Sequence, residues 1–238
     1  MATRKGKNNS LINKIIILII FFVIIYFKND FERFLASKFI NSYALSDIPE
    51  YTNEKYIFIN NNIPEFSESD ITTDSYEHYS ELDILGRAGV AIANIGIDLM
   101  PTKERERIGM IKPSGWQTTK YDFVDNKYLY NRCHLIAYQL TGENANPKNL
   151  ITCTRNMNAK VMVEWENKVA NYIKKTGNHV LYRVTPIFKS NNMLATGVEI
   201  EAMSVEDKGR DIKFNVFIYN VEDGVEINYL DGTSKLAN

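Results

Sequence analysis

The chain has 238 residues, 45% hydrophobic and 24% charged, the proportions of an ordinary globular protein with room for one catalytic domain plus a tail. Two cysteines are too few for a disulfide framework, and with three scattered histidines they fit no zinc spacing. The net charge of −1 says nothing about partners until it is divided along the chain.

Residues 1–100 hold 9 Lys/Arg against 13 Asp/Glu, residues 101–183 hold 14 against 7, and residues 184–238 hold 5 against 9. A basic middle gathers a polyanion such as nucleic acid, unless its charges are merely spread over a solvated face. Fourteen Tyr and twelve Phe favour strands and a ligand-facing surface.

The chain opens with Arg4, Lys5, Lys7 and Lys14 and no acid, followed by an unbroken apolar run of 13 residues at 15–27. A full span needs about 20 residues, but Leu11 and Ile12 extend the run and Lys14 and Lys28 can snorkel at its edges. The run passes into Lys28-Asn29-Asp30 without a small-x-small cleavage site. The expected organisation is a cytoplasmic basic end and transmembrane signal-anchor at 1–28, with the remainder outside the cell membrane. A cleaved secretory signal is the alternative. Residues 29–69 mix Pro, Asn, Ser and acids and read as a juxtamembrane segment and linker, with one strand-like piece, KYIFIN. A catalytic domain is expected over 70–238.

Within that domain GVAIANIGI is a small-residue strand, and YLYNRCHLIAY gives a second after a turn and loop. From Asn158 the period changes. Met162, Trp165, Val169, Tyr172 and Ile173 share one helical face, Lys174 and Lys175 close the last turn, and Gly177 suits the left-handed position after it. HVLYRVTPIF, MLATGVEIEAMSV, IKFNVFIYNV and GVEINYLDG follow as antiparallel strands, with Ile212, Phe214, Val216 and Ile218 alternating onto one face. Strand, loop, strand, one main helix and a run of strands make an α+β layout.

The chemistry concentrates in NRCHLIAYQLTGENANPKNLITCTRNMN, residues 131–158. An imidazole such as His134 acts as a base at neutral pH without special tuning, and Arg132, two residues earlier on the strand, projects to the same face. A guanidinium beside a base suits a phosphodiester, though a core histidine beside a structural ion pair reads the same way. An asparagine oxygen is a hard neutral ligand for Mg²⁺. Asn158 reads as such a ligand or as an N-cap, and Glu166 as a helper carboxylate or a solvated helix position. Eight residues of regular helix put the two about 80° and about 12 Å apart. Arg105 and Arg107, in TKERERIG, are candidates for gripping backbone phosphate or are members of a solvated charge run. Trp116 is core or a stacking platform, and His78 and His179 read as structural.

This stretch, with GRAGVAIANIG, IKPSGW and NHVLYRVTPIF around it, resembles the DNA/RNA non-specific endonucleases, in the branch of Gram-positive DNA-entry nucleases. The likeness runs from about residue 48 to the C-terminus. The family's Asp-Arg-Gly-His becomes Asn131-Arg132-Cys133-His134, followed by Asn149 in NPKN, Asn158 nine residues on, and Glu166. The resemblance implies the ββα-metal, or His-Me finger, fold with a central antiparallel sheet and one catalytic helix. It implies His134 as general base, Asn158 as the single direct ligand of Mg²⁺, for which Mn²⁺ can substitute, and Glu166 as an outer-shell carboxylate. Asn149 would orient the site and Arg132 contact phosphate. The expected activity is Mg²⁺-dependent cleavage of DNA, and of RNA, without sequence choice, leaving 5′-phosphate ends.

Asn131 in place of Asp removes a charge near His134, and Cys133 in place of Gly puts a side chain where the family has none. Cys133 and Cys153 bridge if their strands are neighbours and are otherwise small buried hydrophobes. The two departures leave room for a surface module that captures nucleic acid without cutting it. A toxin is a weaker reading, because no delivery domain is visible.

Overall fold

The computed structural model describes residues 48–237. The expected anchor at 15–27 lies outside them, and among the described residues no helix is long and apolar enough to cross a membrane. The expected sheet is present. Strands β1 (Tyr56–Phe58), β2 (Tyr76–Tyr79), β3 (Ala91–Ile95), β6 (Val180–Ile187), β7 (Gly197–Ser204) and β8 (Lys213–Tyr219) form one antiparallel sheet in the order β1-β8-β7-β6-β3-β2. Strands β4 (Tyr130–His134) and β5 (Leu150–Thr154) pair separately as a two-stranded ribbon, and β9 (Val225–Ile227) and β10 (Ser234–Leu236) as a hairpin.

The strand-like piece within the expected linker is a strand of the sheet. KYIFIN supplies β1, whose residues pair with Val216 to Ile218, and the compact unit that holds the sheet begins at Glu50. Beta-branched and aromatic residues met an open sheet edge, which a solvated tether does not offer. Strand β2, YEHY, is a further element of that sheet, with His78 exposed on it. His179 is structural as expected, its Nδ1 lying 2.7 Å from Glu206 Oε1.

The main helix packs on one face of the sheet. Helix α1 (Tyr138–Thr141) is a single turn, and α2 (Val163–Thr176) is the long one, ending at Gly177 with φ 73°. Met162, Trp165, Val169, Tyr172 and Ile173 are all buried against Ala93, Tyr182, Val198, Ile200, Phe214, Val216 and Ile218. Alanines at 91, 93 and 202 lie in the same core, and Trp165 packs there with its ring 4.7 Å from Phe214 and 5.3 Å from Tyr56. The β4–β5 ribbon joins the same core through Cys133, Ile151 and Cys153.

The other face of the sheet mixes the buried Leu181 and Phe217 with polar side chains, and residues 62–66 lie against it. Glu201 Oε1 accepts from the Glu65 backbone N–H at 2.7 Å, Arg183 Nε donates to Glu201 Oε2 at 2.6 Å, and Arg183 stacks over Phe66. Glu199, two residues along β7, is buried beside them. Burial and the neighbouring Glu201 carboxylate raise its pKa from 4.5 to about 7. The fold therefore keeps a proton there that the unfolded chain releases. The stability this contributes is full below pH 4.5 and is lost as pH rises through 7. Glu199→Gln should match the parent in thermal unfolding at pH 4.5 and exceed it at pH 8, by up to about 3 kcal/mol. An identical melting difference at both pH values would count against a protonated Glu199.

Candidate active site

The ribbon carries the site. Its register sets His134 opposite Leu150 and Tyr130 opposite Thr154, and Cys133 and Cys153 are joined across it by a disulfide, their Cα atoms 5.9 Å apart. The inward-facing cysteine side chains are fully buried. Cys133 is thus absorbed into the core.

Asn149 fixes the backbone just after the histidine. Its Oδ1 accepts from the Ile136 N–H at 2.9 Å, and its Nδ2 donates to the Ile136 carbonyl at 3.0 Å. Both polar atoms are spent on the backbone of one residue, Ile136, and Asn149 is fully buried. Asn149 is therefore a positioning residue that holds the chain where β4 ends. The turn that delivers it is closed by Asn146, whose side chain accepts from the Lys148 N–H.

His134 is only 5% exposed. Its Nε2 lies 2.8 Å from the backbone carbonyl of Asn144, and its Nδ1 lies 3.1 Å from Arg105 Nη2. A carbonyl only accepts and a guanidinium only donates, so both contacts select the tautomer with the proton on Nε2 and the lone pair on Nδ1. Burial lowers the imidazole pKa from 6.5 to about 4, and the Arg105 charge adds to that, against the opposing pull of the Asn144 carbonyl. His134 is therefore a neutral base at ordinary pH.

Asn158 is not an N-cap. The Met157 N–H at the helix start is taken by Thr154 Oγ1 at 3.1 Å, and the Asn156 N–H by Glu222 Oε2 at 2.8 Å. Residues Met157–Met162 are wound as a π-helix that runs into α2. This changes the separation expected for a regular helix. A π-wound turn takes up one extra residue, so Asn158 and Glu166 stand as residues seven apart do in an α-helix, about 20° from a common line. Glu166 is not solvated. It is 8% exposed, and its pKa is raised from 4.5 to about 7 by burial, against the opposing pull of Gln139 and Arg105.

Arg132 is held on the loop before the ribbon. Its Nη2 donates to the Gly109 carbonyl at 2.8 Å, its Nε donates to the Ile111 carbonyl, and its guanidinium lies 3.9 Å over the Trp116 ring. Two of its five N–H groups are so used, leaving others for a ligand. Trp116 packs on the small core of Leu129, Tyr130 and Leu194, the first of the two readings, and also lines a cleft.

That cleft has a volume of about 540 Å³ and is lined by Arg105, Asn131, Arg132, Arg155 and Asn158 along with Trp116. Arg105 both lines it and touches His134. The structure thus brings together His134, Arg132, Asn158, Asn131 and Arg105. Arg107 is exposed and does not line the cleft. The sequence reading missed Asn144, which acts through a carbonyl that no residue type advertises. It also missed Gln139, which lowers the Glu166 pKa against the effect of burial, and Arg155, whose only signal was its place three residues before Asn158.

The likeness to known proteins is extensive. NucA from Streptococcus agalactiae, solved with a magnesium ion bound, superposes with a TM-score of 0.69 at 25% identity, covering 82% of this chain and 92% of that one. Sda1 nuclease with a bound zinc ion gives a TM-score of 0.63 at 24% identity, covering 77% of this chain and 96% of that one. Both share the α+β arrangement of a ββα-metal nuclease. The family model for DNA/RNA non-specific endonucleases matches residues 67–206, so the chain belongs to that family and is an endonuclease.

Proposed function

We propose that the protein is a divalent-cation-dependent nuclease that hydrolyses phosphodiesters of DNA, and of RNA, without sequence choice, with His134 as general base. The observation that carries this reading is the His134 imidazole: its Nε2 proton is committed to the Asn144 carbonyl, and its Nδ1 lone pair meets a cleft-lining arginine. In the reaction Arg105 exchanges Nδ1 for a phosphate oxygen. Nδ1 then takes a proton from water as the water oxygen bonds to phosphorus and the 3′-oxygen leaves, giving a 5′-phosphate end. Arg132 contributes its unused N–H groups to the same phosphate.

The donor set fits a hydrated Mg²⁺, with Mn²⁺ able to replace it. The Asn158 amide lines the cleft and makes no hydrogen bond among the described residues. Among those residues no group of three or more His, Cys, Asp or Glu is placed to hold an ion, which suits a cation that keeps most of its water. Asn158 Oδ1 would bind it directly, with Glu166 reaching its water shell. The ion would offset the negative charge growing on the leaving oxygen.

Supercoiled plasmid should be nicked in Mg²⁺ and left intact in EDTA, and Asn158→Ala should need at least tenfold more Mg²⁺ for half-maximal rate. Cutting that persists in EDTA would overturn the metal assignment. DNA retention without cutting in either condition would favour capture over catalysis.

The basic start, the apolar run at 15–27 and the disulfide together support work outside the cell, the domain tethered to the membrane by its N-terminal segment.

A further inference from the structure

Arg155 has no task in the reaction as described, and the fold does not need it as an ion pair. Its backbone N–H donates to the Leu129 carbonyl at 2.8 Å, which fixes where the residue sits, but its side chain makes no hydrogen bond among the described residues. The Nε atom is buried without a partner. No ion pair among the described residues joins Arg105, Arg132 or Arg155 to a carboxylate. A buried donor left unpaired is costly, and the guanidinium that carries it is the group best shaped for a planar, bidentate grip on a phosphate.

Position separates Arg155 from the reacting bond. His134 pairs with Leu150 at one end of the ribbon, and Arg155 follows Thr154 at the other. Four residues of strand span about 13 Å. Arg105 and Arg155 thus line one cleft, the first against His134 and the second toward the far end of the ribbon, with Asn158 also in its wall. A strand carrying successive phosphates can meet both, with its reacting phosphate at His134 and a neighbouring one at Arg155.

We propose that Arg155 is a phosphate-binding residue for a neighbouring nucleotide, so that the cleft recognises a strand of several nucleotides and not an isolated phosphodiester. The proposal rests on the nuclease reading above. It makes the cleft a track, with reaction at the His134 end and grip at the Arg155 end.

The test compares full-length parent, Arg155→Ala and Arg155→Lys on two probes. One is a labelled 20-nucleotide DNA strand bound in EDTA, where no cutting intervenes. The other is bis(p-nitrophenyl) phosphate, a phosphodiester with no neighbouring phosphate. Arg155→Ala should weaken strand binding about tenfold. It should also flatten the dependence of log affinity on log salt by about 0.7. Turnover of bis(p-nitrophenyl) phosphate should stay within twofold of the parent. Arg155→Lys, which keeps the charge and loses the fork, should restore the salt slope. Unchanged strand binding in Arg155→Ala, or equal losses on both probes in both variants, would overturn the assignment. A parent that binds the strand but turns over neither probe in Mg²⁺ would sink the nuclease reading alone, and the binding arm would still decide Arg155.

Discussion

His134→Ala should lower plasmid nicking by about 10²–10⁴-fold, the range for loss of a positioned general base. The fold should survive. The imidazole makes two hydrogen bonds, one to a backbone carbonyl and one to the Arg105 guanidinium, and neither joins elements of the main sheet. Far-ultraviolet circular dichroism and the cooperative melt should therefore match the parent closely. Because burial and Arg105 hold the His134 pKa at about 4, the parent base is already unprotonated at pH 6 and at pH 8. The ratio of parent to variant rates should accordingly be the same at both. Nicking by the variant at the parental rate, with contaminants excluded, would remove His134 from the reaction. A ratio that collapses at pH 6 would show that the imidazole titrates near its ordinary value and that Arg105 does not sit on it in solution.

Loss of the ribbon disulfide is expected to have the largest effect on stability. Cys133 and Cys153 are 20 residues apart in sequence. Closing a loop of that length removes chain entropy from the unfolded state worth about 3 kcal/mol. Replacing both residues by alanine should then lower the melting temperature by about 10 °C for a domain of this size. The variant should still cut at 25 °C, because Asn149 pins the end of β4 independently of the bridge. A double variant that melts with the parent would show that the thiols are not joined in the protein as produced. One that melts about 10 °C lower and also cuts a hundredfold more slowly at 25 °C would make the bridge an element of the site as well as of the fold.

Much of this could be read from the chain, and what could not has physical reasons. Apolar residues at helical spacing marked the buried stripe of α2, and alternation marked β8, because burial on one face is decided by periodicity. The order of Asn131, Arg132, His134, Asn149 and Asn158 marked the ribbon and its helix. β1 was seen as strand-like but was given to a linker, because three residues carry too little pattern to reveal that a sheet edge awaits them. The separation of Asn158 from Glu166 was misjudged, since π-winding depends on how the start of a helix is held and not on the propensities within it. Asn144 was invisible because a carbonyl belongs to every residue. The protonation of Glu199 and Glu166 was out of reach because it follows from burial, which no local pattern reports.

The widened turn at Met157–Met162 has a consequence for how this chemistry can change over generations. Substitutions alter the kind of group presented, but the direction in which Asn158 is aimed is stored as a count. Losing or gaining a single residue in that turn would swing the amide by about 100° while leaving every side chain of the motif in place. Such a chain would still look, letter by letter, like its relatives, and its amide would face away from the phosphate.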